Sequence, residues 1–400
     1  MHRIGTGRMP KVVPPSRSSR RGHLVLLLAS GNSKFVGGVP GQVLSRAKYL
    51  SDFGFEVTII ARGNVEWHGV QLVDGIRVFA LRPRDFKLGK WIAKQWFHPL
   101  LGTAIAHFLP KLDATIPIDC LLVFDSQTGI PALSFGARRS IPVIFLVNGT
   151  ALDPVPMPKF LRRSSLKWEK TCYTFATLVA PVSNAILKTY RMAFGQREGV
   201  QVLPNAFSPV FTPLDTNDTE LKNFMFVGRF ENDKRPLNAL QAILQTPGVN
   251  LRVLGDGSLR PELERVASES SSIWISDAVV NDRIVLRDHY RWGHCFLWVS
   301  AAESFGVAPL EAMACGQIVI APNIPAAKEI LGEDYELFVE VDDLPALRAA
   351  INRVRTDASL VKRCRVKCQE AVSRFSEKEA YGQLLVAIDQ EIKQSSRYPA

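Results

Sequence analysis

Glu303 and Glu311 stand eight positions apart in the segment Ser300–Gly316, SAAESFGVAPLEAMACG. An apolar run over 296–299 precedes the segment and reads as a strand. The spacing then predicts a helix starting near Phe305–Val307, with Pro309 tolerated in its first turn and Gly316 at its C-terminus. Glu303 falls on the turn before that helix and Glu311 one to two turns inside it. Between them, the N–H groups of Phe305, Gly306 and Val307 are helix-start donors without intrahelical acceptors, suited to a phosphate. A carboxylate such as Glu311 can accept two hydrogen bonds from vicinal ribose hydroxyls. The plain alternative is an ordinary helix, with Glu303 favouring the dipole and Glu311 solvated on an amphipathic face.

These residues need a scaffold, and the chain has one grammar throughout. Apolar runs at Leu24–Ala29, Phe55–Ala61, Ile76–Leu81, Asp119–Phe124, Pro142–Val147 and Leu178–Pro181 read as strands. The cycle restarts with Phe224–Val227, Leu251–Leu254, Ile273–Ile275, Phe296–Val299, Ile318–Ala321 and Leu337–Val341. Helical patterns such as Leu237–Leu244 and Leu344–Val354 lie between. Strands alternating with helices predict α/β architecture with parallel sheets: two Rossmann-like, doubly wound domains facing a central cleft. The expected division is a basic tail over 1–22, a first domain over 23–205 and a second over 206–375. A last helix over 376–400 follows, and the Pro- and Asn-containing segment Pro204–Pro213 forms the hinge. Ligands in such sheets bind beyond the carboxyl ends of the strands. Gly37, Gly38 and Gly41, after the first strand, would line the cleft with the loops of the second domain.

Net charge is +11, from 49 basic and 38 acidic residues, and it is unevenly spread. Residues 1–22 contribute +6, His23 to Asn205 +10, and Ala206 to Ala400 −5. Such asymmetry points to two domains with different partners. No zinc spacing, recognition-helix signature or aromatic RNA-binding motif accompanies the basic half, which argues against nucleic acid. Leu24–Ala29 is too short for a spanning helix or the core of a signal peptide. Six scattered cysteines form neither a disulfide framework nor a metal set. The absence of GxxxxGK[ST] and of a well-placed GxGxxG argues against a kinase, a GTPase or an ordinary dehydrogenase. No Asp-x-Asp pair occurs to grip a diphosphate through a divalent ion. The expectation is therefore no metal and no cofactor.

The run ESFGVAPLEAMACGQIVIAP resembles, through its Glu-x7-Glu spacing, the retaining glycosyltransferases of the GT-B fold, specifically family 4 (glycosyl transferases group 1). Gly37-Gly38-Val39 resembles that family's first glycine loop. Val202–Asn205 resembles its interdomain motif, Val227-Gly228-Arg229 with Lys234 its phosphate clamp, and Leu254–Gly257 its next glycine turn. The resemblance spans roughly residues 23–395. It implies a nucleoside-diphosphate sugar held by Arg229 and Lys234 at its diphosphate, by Glu311 at its ribose and by Glu303 at its sugar. Gly38 would let backbone approach the pyrophosphate where any Cβ would intrude, while Gly255 and Gly257 read as turn glycines. Glu377–Ile392 resembles the terminal helix that crosses back onto the first domain.

One position departs from the pattern. Where much of the family ends a first-domain strand in His, this chain has Asn148, which cannot take a proton near neutral pH. The resemblance implies a saccharide or lipid-linked acceptor. Asn148 keeps open the alternative of a GT-B protein without transferase activity, an epimerase or a weakened scaffold. Cations and aromatics over 82–111 and 159–170, among them Arg82, Lys94, Trp96, Arg162, Lys167 and Trp168, suit a first domain resting on anionic lipid. They equally suit a helix packed on the sheet with a solvated basic face, although Pro99 should kink or break the helix over 82–111. The expected location is cytoplasmic, peripheral on the inner face of the membrane.

Overall fold

The computed structural model of the chain describes residues 21–29, 38–63, 67–81, 90–150, 152, 159–214 and 221–395, with backbone alone for 90–99 and 159–161. The basic tail, save Arg21 and Gly22, thus lies outside the described residues. So do Gly37 and the side chains of Arg82, Lys94, Trp96 and Lys159.

The first half runs β1 (Gly22–Leu28), α1 (Gly38–Asp52), β2 (Phe55–Arg62), β3 (Gly69–Val73), β4 (Ile76–Leu81) and α2 (Lys90–Thr115). It continues through β5 (Cys120–Val123), α3 (Ser126–Arg139), β6 (Val143–Val147), α4 (Lys159–Phe175), β7 (Leu178–Pro181) and α5 (Asn184–Phe194). Its seven strands form one sheet in the order β3-β4-β2-β1-β5-β6-β7. Leu24–Leu28 is buried on both faces, which is why it reads as an unbroken apolar run.

The second half holds β8 (Asn223–Val227), a 3-10 turn at Asn232–Lys234, α6 (Pro236–Leu244), β9 (Asn250–Leu254), α7 (Arg260–Ala267) and β10 (Ile273–Ile275). Next come α8 (Arg283–Trp292), β11 (Cys295–Leu297), α9 (Val307–Ala314), β12 (Ile318–Pro322), α10 (Pro325–Leu331) and β13 (Phe338–Val339). Helices α11 (Leu344–Thr356), α12 (Ala358–Arg374) and α13 (Glu377–Gln394) close the chain. The second sheet is parallel, in the order β10-β9-β8-β11-β12-β13.

Two features differ from the sequence reading. β3 is an additional strand, paired antiparallel to β4 at the sheet edge. Its largely exposed residues, Leu72 included, carry no buried-strand pattern. Pro99, expected to break α2, does not interrupt it: the helix runs on past Pro110 as well. A proline deletes one ladder hydrogen bond, and burial of Leu101, Ile105, Leu109 and Leu112 in the core beneath the sheet holds the rest in place.

Each sheet has one place where the winding reverses, between β1 and β5 in the first and between β8 and β11 in the second. Loops leaving neighbouring strands diverge there and open a crevice. The last helix joins the halves. Leu384, Leu385, Ala387 and Ile388 of α13 pack into the first-domain core with Leu24, Leu26 and Ile59.

Leu384 is buried at 1% exposure. Leu384→Ala should therefore destabilise the protein by about 2–5 kcal/mol, the range for a leucine cavity in a packed core, as read from urea unfolding.

Candidate active site

The reversal point of the second sheet faces the first domain, and a cleft of about 360 Å³ lies between them. Its second-domain wall is the loop after β8, carrying Gly228, Arg229 and Lys234, together with the loop after β11, from Trp298 to Pro309. The first domain contributes Gly38, Val39, Gln42, Asn148 and Asn205. Tertiary structure thus brings together Gly38, Asn148, Arg229, Lys234, Glu303, Phe305, Gly306 and Val307. Glu311 lies just behind, beyond Pro309 on the same helix.

The β8 loop owes its shape to two glycines outside the cleft. A Cβ on Gly255 would stand 1.9 Å from the carbonyl oxygen of Gly228, and one on Gly257 2.5 Å from that of Phe230. Only glycine permits this approach. It allows Gly228 to donate to Leu254 at 3.0 Å and Phe230 to donate to Asp256 at 2.8 Å. Arg229 is held between those two anchored residues.

The charged groups are already paired with one another. Lys234 Nζ lies 2.7 Å from Glu303 Oε1, with both side chains mostly buried. Ser300 Oγ donates to the same carboxylate oxygen at 2.9 Å. Arg229 is more exposed and donates to Asp233 at 2.8 Å. Such an exposed pair is worth about 1 kcal/mol at most, so a diphosphate can take the guanidinium from Asp233 at little cost. Asp233 also joins the two loops: its carbonyl accepts from Ala301 N at 2.9 Å.

Helix α9 begins at Gly306, whose φ of 114° suits glycine and whose absent Cβ would otherwise sit 2.7 Å from the Trp298 ring. No side chain caps this helix start, so its amides face the cleft as an anion site. Gly38 lines the cleft at a φ of 36°, and a Cβ there would meet nothing within 4 Å among the described residues.

Glu311, partly buried on α9, accepts from the hydroxyl of fully buried Tyr290 at 3.0 Å. Its carboxyl is pushed up to about 7 because it is held out of water; Arg283 and the Tyr290 hydroxyl pull it down less strongly. A carboxylate has lone pairs for more than one donor, so Tyr290 leaves it capacity for two vicinal hydroxyls. In its ionised form Glu311 suits a ribose; protonated, it does not.

Asn148 follows β6. Its amide nitrogen donates to Leu146 O at 3.2 Å, and its Oδ1 is buried with no partner among the described residues. The domains meet close by. Ser183 Oγ donates to Ser304 O at 2.8 Å, and Glu329 of α10 accepts from Asn184 N at 2.8 Å and Ala185 N at 3.3 Å at the start of α5. Sequence reasoning missed Tyr290, Asp233, Ser183 and Glu329. Asp233 lay in view between Arg229 and Lys234. The others had no local signal, because only tertiary packing brings them to their partners.

Comparison with known proteins agrees with this fold. The family description "Glycosyl transferase 4-like domain" matches residues 37–206, and "Glycosyl transferases group 1" matches 221–357. A phosphatidyl-myo-inositol mannosyltransferase of Mycolicibacterium smegmatis is 24% identical over 356 residues, 85% of this chain and 86% of its own. A sulfoquinovosyl transferase of Arabidopsis thaliana is 23% identical over 361 residues, 82% of this chain and 64% of its own. Among solved structures, sucrose-phosphate synthase from Thermosynechococcus elongatus superposes with a TM-score of 0.78 at 18% identity, over 92% of this chain and 99% of its own. Anabaena HepE in complex with UDP and glucose superposes at 0.71 with 15% identity, over 92% of this chain and all of its own.

Two outcomes follow from the site. The Glu311 pKa is raised from its ordinary 4.5 to about 7 on folding. The folded state therefore binds the proton more tightly. This group's stabilisation is full below about pH 4.5 and lost as pH rises through about 7. Glu311→Gln, neutral throughout, should lack that slope and be more stable than wild type at pH 8 by roughly 1–3 kcal/mol, measured by thermal and urea unfolding across pH. Glu329→Ala removes a carboxylate from the start of α5 and should cost about 1 kcal/mol, as lost N-terminal caps do. Small-angle scattering should show it less compact, because the contact it loses is one between domains.

Proposed function

For a chain that belongs to the group 1 glycosyltransferases and has the GT-B fold, we propose retaining, metal-independent transfer of a sugar from a nucleoside-diphosphate sugar to a polysaccharide or lipid-linked acceptor. The observation that carries this reading is the Lys234–Glu303 pair at 2.7 Å beside the uncapped start of α9. It sets a cation for the leaving diphosphate next to a carboxylate for the departing sugar's hydroxyls.

Arg229, Lys234 and the α9 amides together stabilise the negative charge that builds on the diphosphate as the sugar–phosphate bond lengthens. An arginine fork and a lysine point charge serve this role without an ion. Glu303, steadied by Ser300, orients the sugar. Asn148 can hydrogen-bond the sugar or acceptor but cannot remove a proton. The acceptor therefore reacts on the face the diphosphate leaves, and the leaving phosphate oxygen takes its proton. Closure of the hinge over the donor would keep water from competing.

The phosphatidyl-myo-inositol in the name of the mycobacterial relative supports a lipid-linked acceptor. Arg163, Lys167 and Lys170 are exposed at positions that share one face of α4, which supports peripheral contact with anionic lipid on the cytoplasmic side. No helix among the described residues is long and apolar enough to cross a membrane.

A thermal-shift screen across UDP-, GDP- and ADP-sugars should find one nucleotide that stabilises the protein, by about 2.7 kcal/mol at a hundredfold excess over Kd. Lys234→Ala should lower kcat by roughly 10²–10³, as loss of a transition-state donor does, and product should still form in EDTA. Donor affinity should fall as pH drops through about 7, where Glu311 takes up its proton. Stabilisation by none of the nucleotides would refute the donor assignment. Donor turnover without an acceptor would instead identify an epimerase.

A further inference from the structure

The first sheet ends in an open edge. β3 stands last in the strand order, bonded to β4 on one side and, among the described residues, to nothing on the other. Natural edge strands are usually guarded against further pairing by a charge, a proline or a bulge. Gly69–Val73, GVQLV, has no charge and no proline, and its register with β4 is unbroken. Val70 is 46% exposed and Leu72 76%, so apolar side chains stand in water beside the open edge.

The turn decides which backbone groups point outward. Val73 and Ile76 flank the two-residue turn Asp74-Gly75, whose φ angles of 50° and 81° fit a type I′ hairpin. The pair flanking such a turn exchanges both its hydrogen bonds, and bonded pairs then alternate along the strands. Val73, Gln71 and Gly69 therefore direct their N–H and C=O groups to β4. Those of Val70 and Leu72 point away from the sheet.

An open edge is completed by a further strand, and the residues of β3 suit a second β3. Two-fold symmetry makes the pairing of two identical edges antiparallel. With the axis at Gln71, Val70 of each copy faces Leu72 of the other, apolar on apolar, and both pairs exchange backbone bonds. His68 then stands beside Asp74 of the second copy, where an imidazole N–H can donate to the carboxylate. Lys48 of that copy pairs with the same carboxylate. Moving the axis to Val70 sets Leu72 against His68, and moving it to Leu72 sets Val70 against the Asp74 turn. Only the Gln71 axis matches every outward position.

We propose that the first domains of two copies of this chain pair through β3, antiparallel about Gln71, into one continuous sheet. β3 lies at the sheet edge, beyond β4 and β2 from the β1–β5 crevice, so the contact leaves both donor clefts open.

Sedimentation velocity of the full chain, from low micromolar to submillimolar concentration, should show a dimer. Leu72→Lys should raise the dimer dissociation constant at least tenfold without lowering Tm, because the side chain it replaces is exposed in the single copy. Gln71→Cys tests the register. Residues opposite one another at a non-hydrogen-bonded position lie about 4.5 Å apart at Cα, within the range a disulfide bridges. The native cysteines are all buried, so mild oxidation of this variant should give a covalent dimer that reductant reverses. His68→Cys, exposed but at opposite ends of the paired strands in the two copies, should not cross-link. A monomer at every concentration, a dimer indifferent to Leu72→Lys, or equal cross-linking of the two cysteine variants overturns the proposal. A Leu72-sensitive dimer that Gln71→Cys fails to cross-link overturns the register. Leu72-dependent binding of phosphatidylglycerol vesicles by a monomer would assign the edge to lipid instead.

Discussion

The geometry of the cleft depends on one buried guanidinium. Arg46 of α1 is 1% exposed and lies between the rings of Phe124 and Tyr381, at 5.7 and 5.2 Å. It donates to Pro204 O at 3.3 Å and Asn205 Oδ1 at 2.9 Å. Burial lowers its pKa, and its Nε and Nη1 have no hydrogen-bond partner among the described residues. Four residues earlier, Gln42 donates to Ala206 O at 2.8 Å and accepts from Ala206 N and the Tyr381 hydroxyl. A cation so far from water, with two of its three nitrogens unpaired, depends on the few neutral partners it has. The first-domain helix, the hinge and the last helix must therefore assemble together. Gln42 and Asn205 also line the cleft, so the network that joins the domains shapes the site between them.

Buried polar groups at the candidate site work against stability in two places. Glu311 keeps a carboxylate where water is scarce, and its pKa rises to about 7 in consequence. Asn148 keeps its amide oxygen buried with no hydrogen-bond partner among the described residues. A chain selected for folding alone would have filled these positions with apolar side chains. Functional sites are where such local violations are expected. By contrast, Lys234 and Glu303 offset each other, so the most heavily charged part of the cleft is held in place before any ligand arrives.

Much of the fold was legible because parallel strands buried on both faces announce themselves as short apolar runs, and helices as 3.6-residue periodicity. The buried strands of both sheets follow those runs to within a few residues at their ends. β3 was not legible, because an edge strand facing water has no such run. Pro99 misled, because its local penalty was set against packing by residues further along α2 that no local rule weighs. In the site, Arg229, Lys234 and Glu303 were legible from their places at strand ends and a helix start. Their pairing was not: Lys234 and Glu303 are far apart in the chain, and the parallel pairing of β8 with β11, with the backbone bond from Ala301 to Asp233, brings their loops together.

By itself the sequence determined the two alternating α/β halves, the uncapped helix start at Gly306 and the charge difference between the halves. All three arise from residues within a turn or two of one another, where side-chain period, glycine and proline act directly on the backbone. Only the tertiary structure decided that Glu311 shares a hydrogen bond with Tyr290, that Glu329 caps a helix of the other domain, and that Asn148 stands on the wall of the cleft. Those outcomes depend on solvent exclusion and on contacts between residues tens to hundreds of positions apart. Burial turns an ordinary carboxylate into one that titrates near neutrality, and no local pattern of residues specifies burial.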